Sequence, residues 1–283
     1  MENLIGTHRN IFVISVYVYF FILFTVYILI ICSNSTIVCL IWIHKNLHEP
    51  MYIFIAALLM NSVLFSTNIY PKLLNDILSD KQIISYSACL LQFFIFYSLG
   101  SSEFLLLAVM AYDRYVSICK PLQYSTIMKN STVTVLLILT CFTLKGVFCN
   151  NSINHLYCDS SRAVTIYGVV VLLNLVFFPM LFILFTYAKI LIISYQSCGE
   201  VRRKAAQTCL PHLLVLINYS CLVTYDIIIV RMASDFPKTA RFVMTLQIVM
   251  YNPLFNPIIY GLKLREISKH LKRLFFLFHS VLT

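Results

Sequence analysis

The chain has 283 residues, of which 60% are hydrophobic and 11% charged, with a mean hydropathy of +0.85. That balance is too apolar and too poor in charge for a soluble domain, and it reads as a polytopic membrane protein. The formal net charge of +10 does not argue for nucleic acid, because Lys and Arg flanking apolar spans are what the cytoplasmic face of a membrane protein carries.

A hydrocarbon layer about 30 Å thick takes roughly 20 apolar residues of helix to cross. The first apolar run, Ile11–Ile43, is longer than the core of a cleavable signal and is followed by His44 and Lys45, so it predicts a membrane anchor. Met51–Tyr70 and Ile84–Cys119 are the second and third candidate spans. Next comes Val133–Leu144 (VTVLLILTCFTL), about 12 residues or roughly 18 Å of helix, too short to cross unaided. Ala163–Ser194, Ala205–Val230 and Phe242–Leu262 are again long enough. The tail from Lys263 to Phe278 alternates basic and apolar residues at helical spacing. It predicts a helix on the inner membrane surface with Leu264, Ile267, Leu271 and Leu274 turned toward the lipid.

Basic residues set the orientation. Lys45, Lys120, Lys129, Arg202, Arg203, Lys204, Lys263, Arg265, Lys269, Lys272 and Arg273 fall in the connections after spans one, three and five and in the tail. Placing all of them in the cytoplasm puts the N-terminus outside and demands a crossing between Cys119 and Ala163, for which Val133–Leu144 alone is available. The expected fold is therefore an all-α integral membrane bundle of seven transmembrane helices with a truncated fourth and a short amphipathic C-terminal helix. It is one receptor-sized domain, with spans at 11–43, 51–70, 84–119, 133–144, 163–194, 205–230 and 242–262 and the surface helix at 263–278.

Of the ten cysteines, Cys32, Cys39, Cys209 and Cys221 lie inside apolar runs as small hydrophobes. Cys89, Cys141, Cys149 and Cys158 lie in or beside polar segments and are the plausible disulfide set, with three possible pairings. Cys149, His155 and Cys158 lack a fourth ligand at ordinary spacing, so no metal site is expected. No Gly-rich phosphate loop, HExxH or nucleophile with a placed base is present, and the chain does not read as an enzyme.

Ionisable residues within apolar spans are costly and mark function or interfacial anchoring. The string Met110-Ala111-Tyr112-Asp113-Arg114-Tyr115-Val116-Ser117-Ile118-Cys119 ends span three with an acid, a base and an aromatic. Glu103 lies eleven residues before Arg114, facing nearly the same way about 16 Å deeper. A carboxyl at that depth must be protonated, paired or bound to a cation. In the last span, Asn256-Pro257-Ile258-Ile259-Tyr260 places a helix-kinking proline inside a polar frame.

MAYDRYVSIC resembles the odorant-receptor version of the DRY signature of rhodopsin-like G-protein-coupled receptors. PLFNPIIYGLK resembles that family's NPxxY segment, and Lys204 to Leu213 (KAAQTCLPHL) resembles its helix-6 opening, with Pro211 in place of the usual serine. The aromatic-aromatic-glycine string further along is altered here to Tyr219-Ser220-Cys221. The resemblance covers nearly the whole chain apart from the middle of helix 4, which is missing between flanks of normal type. It implies that Asp113 restrains Arg114 until activation, that Tyr115 completes the signature, and that Tyr187, Asn256, Pro257 and Tyr260 rearrange around Arg114. It implies a possible sodium site at Glu103 with Asn34 and the helix-2 position Ser62, where the family carries an aspartate. It also implies disulfides Cys89–Cys149 and Cys141–Cys158. The implied ligand pocket comprises Phe96, Tyr97, Gly100, Ser101 and Phe104 of span three. Val171, Leu175, Val223, Thr224, Ile227, Leu246 and Val249 add to it from spans five to seven.

The expected activity is detection of a small, amphipathic extracellular odorant and activation of a stimulatory olfactory-type G protein that raises cyclic AMP. The expected location is the plasma membrane of sensory cilia, with no cofactor beyond that sodium ion. Two other readings stand beside it. A receptor lacking part of helix 4 could be a misfolded, non-signalling product of a damaged or misread gene, because backbone stranded in lipid costs several kcal/mol. A transporter or channel needs several intramembrane ionisable groups or inverted repeats, and this chain offers chiefly Glu103.

Overall fold

A computed structural model describes residues 2–79, 81–146, 177–196, 209–210, 212–222 and 238–282. All regular structure among the described residues is helical. In chain order we label α1 Glu2–Ile43, α2 Pro50–Leu78, α3 Tyr86–Cys119 and α4 Asn130–Gly146. The remaining helices are α5 Phe178–Gln196, α6 His212–Leu222, α7 Lys238–Lys263 and α8 Arg265–Leu282. Three described stretches are long and apolar enough to cross a bilayer: Val16–Ile43, α2 and α3. In lipid each backbone group must find its partner within the chain, which favours unbroken helices over loops in apolar runs of this length.

Local chemistry sets several helix starts. Pro50 opens α2, where its missing N–H costs nothing. Ser85 caps α3, its hydroxyl accepting from the Ala88 N–H at 3.3 Å. Outward residues such as Phe21, Phe185 and Leu191 are more than half exposed, a coat that suits acyl chains rather than water. Inward, one apolar cluster joins Phe54, Leu58, Leu107, Met110, Ile183, Leu216 and Tyr260 across five helices. A second, smaller one gathers Ile30, Phe65, Tyr70 and Val249.

α4 differs from the sequence expectation of a helix over 133–144. It runs 17 residues from Asn130 to Gly146, about 25 Å, because the polar Asn130-Ser131-Thr132 and the Lys145 position continue the helix with no proline or earlier glycine to stop it. Cys141 is helical in backbone as part of the same run. α4 is tied to the middle of α3, where the Ser102 hydroxyl donates to the Thr140 carbonyl at 3.0 Å.

The proline kinks of α7 organise its neighbours. Pro257 cannot donate to the carbonyl four residues earlier, which frees Pro253 O. Asn34 of α1 takes that acceptor, Nδ2 donating at 2.9 Å, while also donating to Ile30 O at 2.8 Å. The tail helix α8 lies against α1, with Leu264 and Ile267 buried. Its His270 ring stands 3.8 Å, centre to centre, from His44.

Candidate functional site

The C-terminal end of α3 carries a buried ion pair. Arg114 donates to Asp113 Oδ2 through Nε at 3.1 Å and Nη2 at 2.5 Å. Neighbours in sequence do not normally face each other on a helix, so the guanidinium folds back to reach the carboxylate. The other oxygen, Oδ1, accepts from the Tyr124 hydroxyl at 2.8 Å, supplied by the single helical turn Tyr124–Ile127 that follows the loop. Asp113 is fully buried, and its paired charge offsets the desolvation that a lone carboxylate would suffer. Burial and the adjoining Asp113 push the Tyr124 hydroxyl well above its ordinary pKa, which keeps it a donor.

Arg114 also lines a cavity with Met51, Ile55, Met110, His212, Tyr260 and Leu264, enclosing about 10 Å³ of free space, roughly the room of one water. His212 Nε2 and the Tyr260 hydroxyl are buried without a hydrogen-bond partner. On its other nitrogen His212 pairs with the Tyr187 hydroxyl, linking α6 to α5. Arg114 of the DRY string and Tyr260 of the NPxxY string are thereby brought to one chamber, with Tyr187 reaching it through His212. Tyr115, by contrast, is half-buried on the adjoining face.

Deeper, a polar network crosses four helices. Glu103 Oε1 accepts from Asn252 Nδ2 at 2.7 Å and from Asn256 Nδ2 at 3.1 Å. Asn252 and Asn256 are four residues apart and share one face of α7. Asn256 Nδ2 also donates to Ser62 Oγ at 3.0 Å. The Ser62 hydroxyl spends its own proton on Leu58 O at 3.2 Å, so it must accept from Asn256, and this fixes the orientation of that amide. Asn34 joins through the Pro253 carbonyl and does not bond Glu103 or Ser62 directly. Two N–H groups therefore converge on the carboxyl. The amide oxygens Asn34 Oδ1, Asn252 Oδ1 and Asn256 Oδ1 are buried in the same network without a hydrogen-bond partner.

Of the pocket residues expected from sequence, Phe104 and Val249 are buried, Phe96, Gly100, Ser101 and Leu246 half-buried, and Tyr97 exposed. Phe96 packs on Phe65 with ring centres 5.0 Å apart. Gly100 and Phe104 meet Tyr219 of α6: the Tyr219 hydroxyl donates to Gly100 O at 2.8 Å, and its ring lies 4.6 Å from that of Phe104. Val171, Leu175, Val223, Thr224, Ile227, Cys149 and Cys158 lie outside the described residues. Cys89 carries a free thiol near the start of α3.

Sequence reasoning missed three residues. Asn252 was legible from its four-residue spacing to Asn256. Leu122, 97% exposed in the turn after α3, was legible as an apolar residue stranded in the KPLQY loop. Tyr124 carried no periodic signal, since only the folded loop returns it to Asp113.

A family profile described as olfactory receptor matches residues 23–277. Human olfactory receptor 11G2 is 36% identical over 282 residues, covering 89% of this chain and 80% of that relative. Human olfactory receptor 2A5 is 34% identical over 275 residues, 87% of each chain, and human olfactory receptor 10K2 is 32% identical over 277 residues, 89% of this chain and 88% of its own. Together with the helical bundle and its buried ion pair, these matches establish that the chain belongs to the olfactory receptor family and is a membrane receptor, not an enzyme.

Proposed function

We propose that this G-protein-coupled odorant receptor binds a small, amphipathic extracellular ligand and activates a stimulatory olfactory-type G protein to raise cyclic AMP. The observation that carries the proposal is the double restraint on Asp113, by Arg114 and by Tyr124, beside a cavity shared with His212 and Tyr260. A basic side chain held by a removable partner, at the mouth of a small chamber, is a two-state element that an outside ligand can bias by binding one arrangement better. Leu122, projecting beside it, supplies an apolar contact for the partner on the inner face. The apolar lining from Phe96 to Phe104, with Glu103 held by two amides as the carboxyl beside it among the described residues, suits uncharged amphipathic molecules better than amines.

The reading includes seven crossings with a short fourth helix, the N-terminus outside, and residence in the plasma membrane of sensory cilia. No step passes through sodium. A second reading, retention as a non-signalling product, is favoured by one feature of the sequence: the apolar run Val133–Leu144 is about 12 residues, roughly 18 Å of helix. The experiment combines surface labelling of an N-terminal tag in intact cells with a cyclic AMP reporter and a panel of volatile alcohols, aldehydes, ketones and acids. Surface label with an evoked rise supports the receptor reading. Label confined to permeabilised cells supports retention.

A further inference from the structure

We propose that the hydroxyl of Tyr70 on α2 is a hydrogen-bond donor held for the ligand, and that the receptor therefore takes aliphatic molecules built around a carbonyl acceptor: ketones, aldehydes and esters. The inference rests on the receptor reading and adds to it a ligand class and a contact. Tyr70 is fully buried, and its hydroxyl has no hydrogen-bond partner among the described residues. The smaller hydroxyls of α2 are satisfied by the carbonyl four residues back. Ser62 donates to Leu58 O at 3.2 Å, Ser66 to Ser62 O at 2.9 Å and Thr67 to Val63 O at 2.8 Å. A phenol is too long for that bond. Tyr27 of α1 stacks on the Tyr70 ring with centres 5.2 Å apart, but its own hydroxyl donates to Thr67 Oγ1 at 3.4 Å and leaves Tyr70 unserved.

The surroundings offer no acceptor either. Ile30, Phe65 and Val249 are buried with Tyr70 in one apolar cluster, against which Phe96 of α3 and Leu246 of α7 pack half-buried. Phe96, Leu246 and Val249 are residues of the expected ligand pocket, so the unpaired donor belongs to the same apolar body as that pocket. In the empty receptor it is a standing cost, having lost water without gaining an acceptor. A phenol brings one O–H, and a carbonyl oxygen completes it with no further polar hydrogen to place. An alcohol accepts the bond but leaves its own proton stranded among apolar side chains, and an alkane leaves the phenol as it was. A site with a buried donor discriminates in this way against molecules that cannot pair it. Val249 stands one turn before Asn252, whose amide holds Glu103 at 2.7 Å, so a ligand seated here bears on the turn of α7 that carries the polar network.

Tyr70→Phe tests the proposal by removing the hydroxyl and keeping the ring, with thermal unfolding of the detergent-solubilised receptor as a readout independent of any G protein. Without ligand, the variant is expected to unfold at or above the temperature of the parent, because it sheds an unpaired buried hydroxyl. A clear drop shows that the hydroxyl already has a partner in the empty protein and overturns the proposal. The same measurement is then made with straight-chain methyl ketones, aldehydes and ethyl esters, each titrated beside the alkane of equal length. At least one carbonyl series is expected to stabilise the parent. Its apparent affinity falls about three- to tenfold in Tyr70→Phe, the loss that one neutral hydrogen bond carries, while the alkanes act alike on both proteins. Equal carbonyl affinity in parent and variant, or no stabilisation by any carbonyl series, overturns the proposal. Stabilisation that weakens in the variant, with no cyclic AMP evoked through the parent in cells, supports the Tyr70 contact and contradicts the coupling reading.

Discussion

Asp113 has both carboxylate oxygens engaged, Oδ2 by Arg114 and Oδ1 by Tyr124, so each partner can be removed while the other stays. A hydrogen bond to a charged group is worth about 1.5–3 kcal/mol when buried, and Tyr124 is half-exposed, which reduces it. Tyr124→Phe is therefore expected to raise ligand-independent cyclic AMP severalfold at equal surface density, and an unchanged basal signal would remove Tyr124 from the restraint. Glu103 makes a different prediction. Glutamine offers the same oxygen to Asn252 and Asn256, whereas alanine strands the Asn252 amide at about 1–3 kcal/mol and leaves that of Asn256 with Ser62 alone. Thermal unfolding of the detergent-solubilised receptor should place Glu103→Gln near the parent and Glu103→Ala well below it; equal losses would show that the charge, not the hydrogen bonding, stabilises the network.

At the level of helices, α8 has Ile267 buried and its His270 against His44, which follows α1, with Asn46 Nδ2 3.3 Å from His270 Nε2. Burial, then the neighbouring His44 and Arg273, hold the His270 imidazole below its ordinary pKa. The docked helix thus resists a proton that the released helix accepts. Docking is fully stable above the ordinary histidine value of about 6.5, weakens as pH falls below it, and levels off once pH passes the lower docked value. Hydrogen exchange of α8 at pH 7.5 and 5.5 should show more opening in acid, and His270→Ala should flatten the difference. The positions of α2, α3, α7 and α8 were legible because long apolar runs and a basic-apolar alternation report themselves in one dimension. The Asp113–Arg114 pair was legible for the same reason, being contiguous. What could not be read was any partner supplied by chain folding back: Tyr124 to Asp113, Tyr219 to Gly100, and His212 to Tyr187 join segments whose sequence spacing carries no period. α4 was underestimated because apolar composition marks the part of a helix that lipid covers, and polar residues extend it at both ends.

For the molecule as a whole, the buried polar groups run as two tiers through a helical bundle. The deeper tier ties Ser62, Glu103, Asn252 and Asn256, with Asn34 joined through the kink at Pro253. The second tier holds Arg114, His212 and Tyr260 around a space of one water, with Asp113 paired to Arg114. α7 belongs to both, through Asn252, Asn256 and Tyr260 on one face, so movement of α7 at its proline kinks links the tiers mechanically. Ser102 fixes Thr140 of α4 beside Glu103. The central claim is that Arg114, once freed, drives nucleotide exchange on a G protein. Guanine-nucleotide exchange by a purified stimulatory G protein, added to membranes carrying equal amounts of the parent receptor or Arg114→Ala, measures it without a known odorant. The parent is predicted to exceed the variant, and exchange at the same rate in both would contradict the account.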